Sequence, residues 1–133
     1  VTDNRQKQIH SLLAAFFFPV LTCCIGFAAV GIFPFGSRSA LIIDGVHQYL
    51  GFYEEFLHQI GQGVRWTFSG HAMGYSFYSL FSYYLSSPFN FLILLFMQFL
   101  YVNEAVTLVV LLKIGLTGAF MAWYVLKKSR GRN

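Results

Sequence analysis

The chain has 133 residues, of which 56% are hydrophobic and 11% charged, with sixteen Phe and eight Tyr. Ordinary soluble domains carry roughly 25% charged residues, and so apolar a surface would not stay monomeric in water; a soluble globular protein is excluded. The net charge of +4 does not indicate nucleic acid either: four of the nine basic residues lie in the last seven positions, directly after an apolar run, where basic residues set topology or attract anionic head groups.

The composition is that of an all-α integral membrane protein, with room for two or three spans. The chain starts on Val1 rather than Met and ends on Lys127-Lys128-Ser129-Arg130-Gly131-Arg132-Asn133. Both ends read as cuts, which predicts a single N-terminal segment, residues 1–133, of a larger polytopic membrane domain.

Residues 1–10 are polar, with Arg5 and Lys7. From Ser11 to Phe33 no charge occurs in 23 residues, long enough at about 1.5 Å per residue to cross a roughly 30 Å hydrocarbon core. This first span (11–33) is expected to bend near Pro19, where a backbone hydrogen bond is lost. A secretory signal is the alternative, but the run exceeds a core of roughly 7–15 residues and ends at Phe33-Pro34-Phe35-Gly36 without a small-residue cleavage site. It reads as a retained anchor. Cys23 and Cys24 lie within it and bridge poorly as neighbours; they read as small apolar packing residues.

Residues 34–87 form a long amphipathic loop with net charge −1, Arg38 and Arg65 against Asp44, Glu54 and Glu55. The positive-inside rule then predicts a cytoplasmic N-terminus and an extracytoplasmic loop. Within the loop, 45–60 reads as an amphipathic helix, because Val46, Tyr49, Leu50, Tyr53, Phe56, Leu57 and Ile60 recur at helical spacing. His47, Gln48, Glu54, Glu55, His58 and Gln59 fall on the other side. Such a helix lies flat on a membrane surface. A second interfacial helix is expected over 75–86, where aromatics alternate with hydroxyls.

Asp44, His47, Glu54 and His58 follow at spacings of three, seven and four and share one stripe, with Gly51 leaving room for close approach. Three readings stay open. Asp44 caps the helix; or it contributes to a divalent metal site with the histidines and carboxylates; or it is a catalytic carboxylate at the membrane face, assisted by Glu54 or Glu55. Residues 61–75 are rich in Gly and Ser. There, Arg65 beside Trp66 is suited to an anionic phosphate and a sugar face, against the commoner reading of a snorkelling arginine with an interfacial aromatic.

After Pro88, suited to a helix first turn, come Phe89–Val102 and Ala105–Leu126, parted by Asn103-Glu104. A single helix over both would be roughly 57 Å long, so a break is expected near Asn103. The stretch 88–102 reads as a second span or a re-entrant segment, and 105–126 as a full span despite Lys113. Lys113 needs a partner, and Glu104 or an acid outside this segment is a candidate. Three full spans put the basic tail outside; two spans with a re-entrant 88–102 put it inside.

Phe33-Pro34-Phe35-Gly36, then Asp44 with Gln48-Tyr49, then Tyr83-Tyr84-Leu85-Ser86-Ser87-Pro88-Phe89-Asn90, and finally Leu112-Lys113-Ile114-Gly115-Leu116-Thr117-Gly118 together resemble the YfhO family of bacterial membrane proteins. That resemblance implies the N-terminal part of a membrane domain like that of the GT-C glycosyltransferases. It further implies transfer of a sugar from a polyprenyl-phosphate donor to a cell-wall polymer such as teichoic acid, on the outer face of the bacterial plasma membrane. Asp44 falls where that superfamily carries a catalytic acid in its first outer loop. The implied site is then Asp44 with Glu54 and Glu55 for catalysis, and His47, Gln48, Tyr49, Arg65 and His71 for substrate. A divalent metal at Asp44 is compatible with it, and the segment alone is expected to be inactive. The rival class is a transporter part or assembly module, in which Lys113 lines a path and Asp44 only caps.

Overall fold

The computed structural model describes residues 2–63 and 74–130. Among them the chain is helical, and two helices are long and apolar enough to cross a membrane, Arg5–Val30 and Val102–Ser129. It divides into two compact units, residues 1–36 with 110–133, and residues 37–109.

In the first unit, helix α1 (Thr2–Val30) runs on through Pro19. Its end falls three residues before the apolar run does, and Gly31 is the reason. With φ +74, Gly31 takes the left-handed conformation that side chains resist. Its N–H reaches the Ala28 carbonyl at 3.4 Å and the Ile32 N–H the Phe27 carbonyl at 2.9 Å, a Schellman stop. Inside the helix, the Ser11 and Thr22 hydroxyls donate to the carbonyls of Lys7 and Phe18, both at 2.9 Å, so these polar groups are satisfied without water.

The C-terminal part of helix α5 (Val102–Arg130) crosses α1 at two glycines. A Cβ on Gly118 would collide with the Ala15 carbonyl oxygen, and one on Gly115 would lie 2.6 Å from the Phe16 ring. Pro19, lacking an N–H, cannot donate to that same Ala15 carbonyl. The two helices therefore approach where a proline and a glycine coincide, the small-residue contact that membrane helices favour.

The second unit holds the core. Tyr53, Phe56, Phe77, Leu80, Leu85, Ile93, Ala105, Val106 and Val109 are buried together; each large apolar side chain contributes about 1.5–3 kcal/mol by leaving water. Phe56 stacks on Phe81 (6.3 Å) and meets Phe91 edge-on (5.7 Å). These residues come from a π-helical turn Gly45–Leu50 leading into α2 (Gly51–Gln62), from α3 (Phe77–Leu80) running into a π-helical Phe81–Leu85, and from a 3₁₀ turn Pro88–Asn90 leading into α4 (Phe91–Phe96). Phe77–Leu85 and Pro88–Phe96 meet at 98°.

The break expected near Asn103 lies earlier. Residues 97–101 are non-helical and Asn103 is inside α5. Glu104 explains the shift: its Oε2 accepts the Tyr101 N–H at 3.0 Å, the acidic half of a capping box that starts the helix at Val102. Glu104 is thereby engaged at the helix start, nine residues before Lys113, and is not the partner that Lys113 was expected to have.

Candidate functional site

Asp44 stands at the entrance of the π-helical turn, and the backbone before it is unusual. Ile43 has φ +50, a left-handed conformation that a β-branched residue adopts at a strain of about 1–3 kcal/mol. Its carbonyl accepts the N–H groups of Val46 (3.1 Å) and His47 (2.9 Å), and that of Ile42 accepts Gly45 (2.9 Å). The turn is thus closed by main-chain groups ahead of Asp44. Leu41 packs on Gly45, where a Cβ would sit 3.1 Å away, and the Leu41 N–H is held by Ser39 Oγ at 3.0 Å.

The cap reading of Asp44 does not hold. Asp44 is in the N-cap position but has helical dihedrals, and its side chain makes no capping bond. The carboxylate is exposed; the Tyr84 phenol is raised above its ordinary value by burial first, then by Tyr83 and Tyr49, with Asp44 the smallest of these influences.

Tyr84 is the centre of an aromatic cluster. Tyr49 and Tyr83 meet it edge-on at 4.9 and 4.1 Å, and Phe52 tilts against it at 4.8 Å. Tyr83 is 76% exposed and Tyr49 40%. The segments Asp44–Tyr49 and Tyr83–Asn90, far apart in sequence, therefore meet through their phenols, with the exposed Asp44 carboxylate at the head of the turn that carries Tyr49.

Asn90 holds that surface in place. It is fully buried, and its Nδ2 donates to the carbonyls of Tyr84 (3.3 Å) and Leu85 (3.2 Å). Its Oδ1 accepts the Tyr53 hydroxyl at 3.4 Å. Burial, with Tyr49 adding to it, pushes the Tyr53 phenol above its ordinary value. Tyr84 and Asn90 belong to the family-like motif, but nothing in their spacing marked them as site residues. The signal that finds them is an asparagine just after a proline-led turn, where loose carbonyls need a donor.

The expected polar face of the 45–60 helix is corrected. Glu55 and Gln59 were assigned to it, yet both are buried, at 5% and 6% exposure. Gln59 Nε2 donates to Glu55 Oε1 at 2.7 Å, one turn apart, and this pairing lets them face the core. The buried arc of α2 is therefore wider than its apolar residues alone mark out, taking in Tyr53, Phe56, Glu55 and Gln59 together. Asp44, His47, Gln48, Glu54 and His58 remain exposed. Arg65, Trp66 and His71 lie outside the described residues. Among the described residues no three His, Cys, Asp or Glu side chains come together as a metal cage, so Asp44 has no ready set of co-ligands there.

No curated protein and no solved structure matches the chain. The family profile described as "Bacterial membrane protein YfhO" matches residues 14–132, which includes every motif named above except the polar residues 1–10. With its α-helical membrane architecture and a match over nearly the whole length, the chain belongs to the YfhO family of bacterial membrane proteins.

Proposed function

We propose that this chain is the N-terminal part of a membrane glycosyltransferase that moves a sugar from a polyprenyl-phosphate donor to a cell-wall polymer. The observation that carries the reading is the exposed, uncapped Asp44 carboxylate at the head of the turn that brings Tyr49 against Tyr84, which Tyr83 also meets. A carboxylate that does no capping work is available for proton chemistry, and phenol faces suit the apolar side of a sugar ring.

In this reading Asp44 takes the proton of the acceptor hydroxyl, or orients it. The hydroxyl oxygen bonds to the anomeric carbon, and the bond to the phosphate breaks so that polyprenyl phosphate leaves with the electron pair. Exposed Glu54 is the assisting carboxylate; Glu55, the other candidate, is buried and paired with Gln59 one turn on in the same helix. His47, Gln48 and Tyr49 line the acceptor side, and Arg65 and His71 are assigned to the donor phosphate.

The proposed topology has the N-terminus in the cytoplasm and 34–87 outside. It rests on the α1–α5 crossing. Leu12, N-terminal to the crossing on α1, and Ala119, Phe120 and Trp123, C-terminal to it on α5, wall one groove. Arg5 and Lys7 then share a side with Lys127 and Lys128, as the positive-inside rule asks. With two crossings of opposite sense, the bent pair 77–96 is read as re-entrant.

The test is Asp44→Asn in the full-length protein, with transfer of labelled sugar from polyprenyl phosphate to wall polymer measured in membranes. A loss on the order of 100-fold or more is expected for removal of a general base. Unchanged transfer would remove Asp44 from the reaction and leave the transporter or assembly reading.

A further inference from the structure

We infer that the groove between α1 and α5 is a binding site for one anionic phospholipid. Its acyl chain lies along Leu12, Leu116, Ala119 and Phe120, and its phosphate is at the Trp123 end, under Lys127 and Lys128. The site is independent of the sugar-transfer reading, since it is made wholly by the first unit.

The groove exists because the crossing at Gly115 and Gly118 is close on one side and opens on the other. It has a volume of about 340 Å³ and is walled by Leu12, Leu116, Ala119, Phe120 and Trp123, within the roughly 300–1,000 Å³ of sites that hold small molecules. The walls are hydrocarbon and aromatic, so they recognise a chain and not a polar group. Ala119 is the smallest of them and leaves the space a larger residue would fill.

Recognition comes from the end of the groove. The Lys127 ammonium is held 5.1 Å from the centre of the Trp123 ring, one turn back on the same helix, and the Lys128 ammonium 5.9 Å from that of Tyr124. Cation–π contact fixes the Lys127 charge at a wall residue of the groove and the Lys128 charge over the next residue round the helix, instead of leaving both to sweep through solvent. The indole N–H at the same place is a further donor. Two fixed ammonium groups complement a head group of net negative charge; a zwitterionic lipid brings its own cation, which they repel. The occupant is therefore a phospholipid with an anionic head group, with the chain and phosphate as the two points of contact.

Photo-crosslinking tests this. The purified protein is placed in nanodiscs containing a trace of phosphatidylglycerol or phosphatidylcholine with a diazirine in one acyl chain, and labelled peptides are identified by mass spectrometry. Residues 116–123 are expected to label at least about fivefold more with the phosphatidylglycerol probe, since each lysine near a head group favours it severalfold. Lys127→Gln with Lys128→Gln should bring the two probes level. Ala119→Leu, which fills the groove, should reduce labelling by both, with circular dichroism confirming intact helix content in each variant. Equal labelling by the two probes in the unaltered protein, a preference that survives the double lysine change, or no labelling of 116–123 by either probe would each overturn the site.

Discussion

The Tyr53 hydroxyl donates to the Oδ1 of Asn90 at 3.4 Å, and through that bond a side chain of α2 is tied to the bend after the second π-helical turn. Asn90 in turn holds the carbonyls of Tyr84 and Leu85. One buried amide thus sets the position of the phenol that both Tyr49 and Tyr83 meet.

Asn90→Leu keeps the volume and removes every one of those bonds. The buried Leu85 carbonyl, the half-buried Tyr84 carbonyl and a phenol would lose their partner, at about 1–3 kcal/mol for a group that water cannot reach and less for one it can. A loss of roughly 2–4 kcal/mol is expected in unfolding from detergent, with greater accessibility of Tyr84 to iodination.

Asp44→Ala is expected to change stability by less than about 0.5 kcal/mol, as for an exposed side chain with no structural bond. A capping aspartate would lose about 1 kcal/mol. The same unfolding measurement separates the two, and it does so without an activity assay.

Gly118→Ala should destabilise the first unit by about 1–3 kcal/mol, because its Cβ collides with the Ala15 carbonyl, and backbone cannot step aside as a side chain can. Gly26→Ala is the control. Nothing lies within 4 Å of a Cβ there, so the helix should gain roughly 0.5–1 kcal/mol.

Tyr53 ionises later than an ordinary phenol, and burial is the leading cause. A group whose folded pKa is raised lends stability at pH below its unfolded value, and that stability fades as pH climbs through the folded value. Stability should thus fall above about pH 10, the ordinary phenol value. Absorbance titration at alkaline pH should show a late component that disappears in Tyr53→Phe.

Glu104→Ala should shorten α5 at its start and lower stability by about 0.5–1 kcal/mol through loss of the bond to the Tyr101 N–H. Glu104→Gln keeps an acceptor and should be close to neutral. Hydrogen exchange at Tyr101 reads the difference directly.

Much of this architecture was legible in the residues. Apolar runs, uncharged in α1 and interrupted only by Lys113 in α5, announce the two long helices, since hydrocarbon tolerates little else, and the spaced motifs around Asp44 and Tyr83–Asn90 announced the family. The ends of those helices were less legible, because apolarity does not stop a helix. Gly31 and the Tyr101–Glu104 contact do, and both act through main-chain groups. The polar face of the 45–60 segment was not legible for a physical reason: an acid can be buried once an amide one turn away satisfies it, as Gln59 does for Glu55. The meeting of Tyr49 with Tyr84 is long-range and left no trace in local spacing.

The right-angle bend between Phe77–Leu85 and Pro88–Phe96 carries its own hydration in protein form. Irregular backbone is normally confined to places where water reaches it. Here Asn90 Nδ2 serves Tyr84 and Leu85, the Asn90 N–H serves the Ser87 carbonyl at 2.9 Å, and the Ser86 hydroxyl serves Ser82 at 3.4 Å. Each arm of nine residues is about 13 Å long, less than half the hydrocarbon thickness. With the carbonyls of Ser82, Tyr84, Leu85 and Ser87 served by protein groups, this turn of the chain depends correspondingly less on water.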